Sequence, residues 1–174
     1  MRLIIASDLH GSAYYTERLV SLFKAVKPEK MILLGDILYH GPRNDLPRDY
    51  SPKKVADLLN ELSLNILAIR GNCDSEVDSM MLEFNILSEY GMLIDGDQVM
   101  YLSHGHKDVV PMPQGSYSIF GHTHVPTDYS KDGIRYINPG SVSIPKENSP
   151  NSCILYDGGI FNWISLRSFT PFDV

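Results

Sequence analysis

Five short segments of the sequence carry Asp, Asn or His side chains directly after an apolar run. They are Asp8-Leu9-His10, Gly35-Asp36, Gly71-Asn72, His104-Gly105-His106 and Gly121-His122-Thr123-His124. Ligand sites in α/β proteins gather at the carboxyl ends of strands. If the apolar runs are strands, we therefore expect these side chains to meet at one rim of the fold.

Metal binding is the chemistry that such a rim favours. Carboxylate, amide and imidazole ligands suit Mn²⁺, Zn²⁺ or Fe²⁺ better than a metal that prefers thiolates. Two aspartates, one asparagine and four of the six histidines are too many ligands for one tetrahedral site, but they fit two ions that share a carboxylate. Two ions roughly 3.5–4 Å apart clamp a phosphate and lower the pKa of a bridging water.

Each segment taken alone has a simpler interpretation. An isolated D-x-H is more often a surface loop or a cap, G-D and G-N are ordinary turns, and H-G-H is compatible with a polar loop. The G-H-x-H segment is more informative, because side chains two residues apart on an extended strand point the same way. Metal binding is favoured because all five segments fall at predicted strand ends.

The first half of the chain alternates between predicted strands and helices. Residues 3–6, 31–34 and 66–69 are short apolar runs typical of buried strands. Apolar residues at helical spacing predict a first helix that contains Leu19, Leu22, Phe23 and Val26. The same spacing predicts a second helix that contains Val55, Leu58, Leu59 and Leu62. Ser51 is expected as the N-cap of this second helix and Pro52 as its first residue. This order predicts parallel strands joined by helical crossovers.

The second half consists of predicted strands without a helical pattern between them. The strands are expected at residues 99–102, 118–120, 134–137, 153–156 and 160–166, with a hairpin turn at Asp157-Gly158-Gly159 between the last two. A mostly antiparallel or mixed sheet follows. The two halves together predict one domain over residues 1–174, in which two packed sheets are flanked by helices.

Composition narrows the classes of protein. A hydrophobic fraction of 43% and a charged fraction of 21% are typical of globular proteins, and the net charge of −6 argues against a broad nucleic-acid surface. Cys73 and Cys153 form no C-x-x-C pair and are expected to be free thiols in a reducing compartment. The N-terminal apolar run is too brief for a signal peptide, and no run suits a membrane-spanning helix. A cytoplasmic location is expected.

The ordered set D-x-H, G-D, G-N-x-D, H and G-H-x-H resembles the calcineurin-like metallophosphoesterase superfamily. Within it, the small size and the stretches HGPRN, GNCD and NPGSVSIPK are similar to the YfcE-type phosphodiesterases. The resemblance spans nearly the whole chain. It implies an α/β fold with mixed sheets, arranged as a four-layer αββα sandwich, and a metal-dependent activity on small phosphodiesters.

The resemblance also implies roles for individual residues. One ion would be held by Asp8, His10 and His124, the other by Asn72, His104 and His122, and Asp36 would bridge them. A hydroxide between the ions would attack phosphorus in line with the leaving oxygen. Mn²⁺ is the metal we expect, with Zn²⁺, Ni²⁺, Fe²⁺ or Mg²⁺ as alternatives. Spacing leaves open whether His104 or His106 is the ligand, and the family pattern favours His104.

Cys73 departs from the superfamily pattern G-N-H-[DE], in which His occupies its position. A thiol is a weak donor with an ordinary pKa near 8.5, which makes it a poorer general acid than His. We therefore expect a preference for esters whose leaving group needs little protonation, such as aryl phosphodiesters. A space-filling thiol is the simpler alternative. A nucleophilic role is disfavoured, because Ser79 stands where the C-x5-R motif of cysteine phosphatases requires Arg.

Other residues are candidates for substrate binding or catalytic support: Cys73, Asp74, His106, Arg43, Arg70 and Asn44. Arginine offers phosphate a bidentate fork, although both arginines are also compatible with solvated surface positions. The segment 138–141 is similar to the family segment that follows G-H-x-H, and it is expected to support the ligand loop. His40 is interpreted as a polar loop residue.

Two other functions compete with the enzyme hypothesis. One is a protein-interaction scaffold, as in the retromer small subunit, which resembles this fold with part of its ligand set altered. The other is a nuclease, against which the acidic charge argues. All seven ligand positions hold competent residues here, which favours catalysis. The apolar C-terminal stretch 161–172 also leaves a homo-oligomer open, although inward packing of a final strand would explain it equally well.

Overall fold

The computed structural model describes residues 1–108 and 110–174, which form two α-helices and eleven strands. The helices are α1 (Ala13–Val26) and α2 (Pro52–Asn60). The strands are β1 (Arg2–Ala6), β2 (Lys30–Leu33), β3 (Ile66–Ala68), β4 (Tyr90–Asp95), β5 (Gln98–Ser103), β6 (Tyr117–Ile119), β7 (Pro126–Lys131), β8 (Ile134–Pro139), β9 (Ser152–Asp157), β10 (Ile160–Ser165) and β11 (Pro171–Phe172).

The first sheet contains the predicted parallel core. Its order is β11-β10-β9-β1-β2-β3, and β1, β2 and β3 run parallel with α1 and α2 as the crossovers. Helix α1 begins after Ser12, whose hydroxyl accepts a hydrogen bond from the Tyr15 amide at 3.4 Å. Helix α2 begins at Pro52 as predicted, but the Ser51 side chain makes no capping hydrogen bond. The Gly158-Gly159 turn joins antiparallel strands β9 and β10, which confirms the predicted hairpin.

The second sheet is mixed, as predicted. Its order is β4-β5-β6-β8-β7, with β5, β6 and β8 parallel and the two outer pairs antiparallel. Strands β4, β7 and β11 were not predicted from the sequence. Strand β7 reads PTDYSK and has no alternating apolar pattern, so it forms because β8 supplies hydrogen-bonding partners.

Two apolar layers hold the fold together. Alternation along β1 sends Ile4 and Ala6 toward the helices, and Leu3 and Ile5 toward the second sheet. The second layer, between the sheets, also buries Phe161 and Trp163, so the first half of the C-terminal stretch serves the core, whereas residues 167–171 are exposed. No helix among the described residues is long and apolar enough to cross a membrane.

The α/β class with two packed mixed sheets is confirmed. Both helices pack against the outer face of the first sheet, where they contribute to a common apolar cluster and contact each other. Within residues 1–108 and 110–174, no α-helix covers the outer face of the second sheet. The helical layer expected on that side is therefore not formed by an α-helix of the described chain.

Candidate metal centre

The loops that follow β1, β2, β3, β5 and β6 meet at one rim, as the sequence predicts. The Asp8 amide donates to the Gly35 carbonyl at 3.1 Å, which joins the loops after β1 and β2. The His122 amide donates to Asp8 Oδ2 at 3.0 Å, which joins the first sheet to the second. The seven predicted ligands therefore converge although they are up to 116 residues apart in the chain.

The backbone at this rim is unusual, because several ligand residues have a positive φ. These residues are Asp8 (59°), His10 (46°), Asp36 (54°), His122 (67°) and His124 (62°). Non-glycine residues seldom adopt this conformation, and it concentrates at functional sites where the surrounding structure enforces it. The positive φ values turn the side chains away from the strand direction and toward a common centre.

Three histidines present the same ring nitrogen to the centre. The Nδ1 atoms of His10, His104 and His124 lie 2.8, 2.6 and 2.6 Å from the carbonyl oxygens of Tyr39, Leu34 and Ile144. Each Nδ1 thus donates to a backbone carbonyl, which makes Nε2 the nitrogen available to a metal ion. Histidines that bind metals are commonly held in this way.

Asp8, His10 and His124 form the first ligand group, which matches the predicted first site. Asp8 Oδ1 lies 3.6 Å from His10 Nε2 and 3.2 Å from His124 Nε2, and the two Nε2 atoms are 3.2 Å apart. All three side chains are buried. Asp8 Oδ1 has no hydrogen-bond partner among the described residues, although it is fully buried. Such an oxygen, facing two imidazole lone pairs, fits a metal ligand.

Asp36 lies between this group and a second one. Its Oδ2 is 3.7 Å from His10 Nε2 and 3.5 Å from His104 Nε2. Its Oδ1 accepts a hydrogen bond from the Cys73 amide at 2.8 Å, which fixes the carboxylate plane. Oδ2 is therefore placed where both groups can share it.

The second group contains His104, Asn72 and His122. Asn72 Oδ1 lies 3.1 Å from His104 Nε2, and the His122 ring centre lies 5.1 Å from that of His104. The His106 ring is 5.3 Å from that of His104 and stands beside the group. His104 is buried with Nε2 toward Asp36, whereas His106 is half-buried, so the geometry favours His104 over His106 as the ligand.

The buried carboxylates of Asp8 and Asp36 favour a cation at this rim. Burial alone would raise the pKa of Asp8 and Asp36, but the neighbouring imidazoles outweigh it and hold both pKa values below the usual range. Burial likewise opposes the charged form of His104, yet the Asp36 and Asp8 carboxylates raise its pKa to about 9. Two buried carboxylates in contact require compensating positive charge, which bound metal ions would supply instead of protons.

Cys73 lies against the centre without adding a charge to it. Its Sγ accepts a hydrogen bond from Asn72 Nδ2 at 3.3 Å and is within metal-ligand range of His10 and Asp36. Burial, together with the Asp36 charge, raises the pKa of the thiol to about 12, so the thiol stays protonated near neutral pH. A Cβ added to Gly41 would lie 3.1 Å from this sulfur, so the loop after β2 packs closely over Cys73.

Asp74 lies beneath the ligands rather than among them. Its Oδ2 accepts hydrogen bonds from the backbone N–H groups of Asp36 (2.8 Å) and Gly71 (2.7 Å), and its Oδ1 accepts one from Ile37 (2.8 Å). It is buried, and all three donors are backbone groups of the loops after β2 and β3. The carboxylate thus positions Asp36 and does not face the open rim.

The other predicted support residues differ in placement. Arg70 is half-buried, and its Nε donates to the Asp74 carbonyl at 3.3 Å. Arg43 is exposed in the loop after β2, where Asn44 Nδ2 donates to the His40 carbonyl at 2.8 Å. Neither arginine lies among the ligand groups. Arg70 contacts the backbone of Asp74, which supports the site, whereas Arg43 lies at the periphery of the site.

The segment 138–141 supports two ligand loops, as expected. Ser141 Oγ donates to the Asp8 carbonyl at 2.8 Å, and Asn138 Nδ2 donates to the Gly121 carbonyl at 2.8 Å. Sequence reasoning missed a further support, Ser143, whose Oγ donates to the same Asp8 carbonyl at 3.2 Å. The sequence signal for this role is the position of Ser143, which lies two residues after Ser141 of the N-P-G-S segment.

The chain matches known proteins in both sequence and fold. Residues 1–158 match the model of the calcineurin-like phosphoesterase superfamily domain. The chain is 42% identical over 171 residues to the phosphodiesterase YfcE of Escherichia coli strain K12, covering 96% of this chain and 93% of that protein. The solved structure of the E. coli phosphoesterase YfcE superposes with a TM-score of 0.95 at 40% identity, covering 99% and 97% of the two chains.

More distant structures share the fold alone. A novel archaeal phosphodiesterase superposes with a TM-score of 0.67 at 22% identity, covering 94% of this chain and 99% of that one. Vps29 of Entamoeba histolytica in complex with Zn²⁺ gives 0.59 at 18% identity, covering 99% and 96%. The same fold therefore occurs in a phosphodiesterase and in Vps29.

Proposed function

The chain belongs to the calcineurin-like phosphoesterase superfamily, and on that premise we propose that it is a dinuclear metal-dependent phosphodiesterase. The two ligand groups are Asp8, His10 and His124 on one side and Asn72, His104 and His122 on the other, with Asp36 common to both. The chain is 42% identical to a phosphodiesterase over 96% of its own length and 93% of that protein's length, which supports an enzyme of the same reaction class.

The observation that carries the proposal is the position of Asp36 Oδ2. This oxygen lies 3.7 Å from the Nε2 atom of one group and 3.5 Å from that of the other. Ligand nitrogens from two different groups thus lie within 4 Å of one carboxylate oxygen. Two ions sharing an oxygen fit this arrangement.

Two bound divalent ions supply Lewis acidity to phosphoryl oxygens and lower the pKa of a coordinated water. The protein's own groups prepare the site for them. The three carbonyl acceptors hold the rings of His10, His104 and His124 by Nδ1, so that Nε2 is the nitrogen left for a metal ion, and the Cys73 amide orients Asp36. Burial of Asp8 excludes water from the carboxylate, which strengthens its attraction for a cation.

Small phosphodiesters are the substrates that the site supports best. Cys73 offers a thiol in place of a histidine, and a thiol is a weak proton donor, so proton delivery to a leaving oxygen is poor. Aryl diesters leave without such help. The net charge of −6 provides no broad basic surface for nucleic acid. We further propose Mn²⁺ as the working metal because the ligands are mostly oxygen and imidazole, with Zn²⁺, Ni²⁺, Fe²⁺ or Mg²⁺ as alternatives.

A single domain over residues 1–174 and a cytoplasmic location complete the proposal. Residues beyond 158, outside the matched family region, belong to β10 and β11 of the first sheet, so they complete the same core. The half-buried and the buried cysteine are both free thiols, as a reducing compartment requires.

The test is hydrolysis of a chromogenic aryl phosphodiester and the matching monoester by metal-stripped protein refilled with each ion in turn. We expect turnover of the diester with Mn²⁺, binding of two ions per chain, and loss of both in Asp36→Ala. Ser168→Ala, on the exposed C-terminal segment, is the control variant. Absence of turnover with every ion, or binding of one ion only, would refute the dinuclear proposal.

A further inference from the structure

We propose that Tyr39, supported by His40 and Tyr50, forms a subsite that holds an aromatic leaving group of the substrate by stacking. The ligand is the aryl arm of a phosphodiester, and the subsite lies in the loop after β2, outside the seven metal ligands. This inference rests on the proposed phosphodiesterase function and names the part of the substrate that the protein selects.

The segment 39–41 runs directly beside the candidate metal centre. The Tyr39 carbonyl accepts the hydrogen bond of His10 Nδ1 at 2.8 Å. Two residues further along the chain, a Cβ added to Gly41 would lie 3.1 Å from Cys73 Sγ. The segment therefore extends from the first ligand group to the thiol that the proposed function places beside the leaving oxygen. A group that leaves on that side meets this segment.

Three aromatic rings form a cluster on and next to this segment. The ring centres of Tyr39 and His40 are 4.7 Å apart at an interplanar angle of 67°, and those of His40 and Tyr50 are 5.2 Å apart at 83°. Edge-to-face contacts of this kind are favourable between aromatic rings. His40 Nδ1 is buried and has no hydrogen-bond partner among the described residues, so the aromatic contacts, rather than a hydrogen bond from this nitrogen, orient the ring.

Tyr50 anchors the cluster to the loop of the first ligand group. A Cβ added to Gly11, the residue after His10, would lie 2.6 Å from a carbon of the Tyr50 ring, so the ring packs directly on the Gly11 backbone. The backbone is fixed at the same point, because the Ser51 amide donates to the Gly11 carbonyl at 2.8 Å. The Tyr39 ring thus stands on a support that is joined to a metal-ligand loop.

Tyr39 is the member of the cluster that is open to a ligand. It is 41% exposed, whereas His40 and Tyr50 are half-buried. The other exposed aromatic residues of the described chain are Tyr90, Tyr129 and Phe169, and none of these has a hydrogen bond to a metal-ligand residue. A tyrosine ring offers a large, rigid contact area at a low cost in conformational entropy.

The chemistry of the surroundings favours an aromatic occupant over a charged or an aliphatic one. Residues 37–42 contain no Asp, Glu, Lys or Arg, so this segment carries no fixed charge that would recognise a second ionic group. Stacking on a tyrosine ring favours a flat π-face, which an aliphatic alcohol lacks. The weak proton donor at Cys73 selects in the same direction, because a phenolate leaves without the proton that an alkoxide requires.

The first test is ligand binding, which does not depend on turnover. Methyl benzylphosphonate and methyl cyclohexylmethylphosphonate are uncleavable diester analogues of similar size that differ in aromaticity, and calorimetry on the Mn²⁺-loaded full chain compares them. We expect the benzyl analogue to bind about two- to tenfold more tightly. Tyr39→Leu should remove this preference and Tyr39→Phe should keep it. Phe169→Leu is the matched control, because Phe169 is also 41% exposed but lies in the C-terminal segment. Equal affinities in the wild type, or an unchanged preference in Tyr39→Leu, would overturn the subsite.

The second test is hydrolysis of two methyl diesters whose leaving groups, a phenol and a fluorinated aliphatic alcohol, have matched pKa values. We expect Tyr39→Leu to raise KM for the aryl ester about two- to tenfold and to leave KM for the fluoroalkyl ester nearly unchanged. An equal rise for both esters would contradict the proposal, since it would reflect a general effect on the site. If neither ester is hydrolysed by the wild type, the phosphodiesterase function is refuted, and the binding preference alone then decides whether the subsite exists.

Discussion

The carboxylate of Asp74 is joined to the backbone of Asp36 by a hydrogen bond of 2.8 Å, from the Asp36 amide to Asp74 Oδ2. The two residues lie 38 positions apart, in the loops after β3 and β2. Through this contact the residue that follows Cys73 sets the position of the carboxylate shared by both ligand groups. Second-layer contacts of this kind commonly change metal affinity or activity by about 10–100-fold when they are removed.

Replacing Asp74 by Ala should therefore destabilise the protein and weaken metal binding together. The change leaves three buried N–H groups without acceptors, each of which costs about 1–3 kcal/mol. We expect the free energy of unfolding to fall by about 3 kcal/mol or more, measured by urea denaturation, with metal content followed in parallel. Asp78→Ala removes a surface carboxylate that accepts from the Ser75 amide and should cost far less. Equal losses in the two variants would contradict this role.

Replacing Cys73 by His should broaden the range of leaving groups. A positioned general acid contributes about 10²–10⁴-fold to a rate. We expect the wild-type rate to fall steeply as the pKa of the leaving alcohol rises, and Cys73→His to flatten this dependence by restoring turnover of alkyl esters. The measurement is a series of diesters with graded leaving groups, with Cys73→Ser as a size-matched control. A wild-type rate that is insensitive to the leaving group, with no change in the variant, would refute the hypothesis.

Gly35 and Gly159 have nearly the same φ but differ in how closely neighbouring atoms surround them. Their φ values are 96° and 97°, but a Cβ on Gly35 would lie 2.4 Å from the Gly71 nitrogen, whereas one on Gly159 meets nothing within 4 Å. Both changes to Ala should cost the roughly 1–2 kcal/mol of a left-handed L-residue. Only Gly35→Ala should also displace the adjoining loops, lowering the melting temperature further and reducing metal content. Equal melting temperatures would contradict the crowding.

The Tyr156 hydroxyl should make stability depend on pH in the alkaline range. Burial, aided by the hydrogen bond to Asp95, raises its pKa from 10.0 to about 12. The raised pKa of this hydroxyl contributes stability that is fully present below pH 10. That stability is lost between pH 10 and about 12, because the unfolded chain releases the proton at a lower pH than the folded chain does. We expect the stability of Tyr156→Phe to be lower at neutral pH but to decline less over that interval. Denaturation curves at several pH values test this, and parallel declines would exclude the assignment.

The sequence by itself determined the parallel core and the candidate residues of the site. Short apolar runs followed by Asp8, Asp36 and Asn72, with helical spacing between them, require strands whose carboxyl ends meet. That information is local, since it depends on periodicity and on the residue type at each strand end. For the same reason, spacing alone could not choose between His104 and His106, which stand two residues apart on one loop.

Only the tertiary structure decided which atoms face one another and which surfaces stay open. The contact between Asp74 and the Asp36 amide joins two loops, and no local pattern records it. Strands β4 and β7 carry weak signals of their own and exist because β5 and β8 pair with them. The edge position of β4 likewise follows from the strand order, which long-range packing sets, since a residue's neighbours across a sheet are not encoded in its immediate sequence.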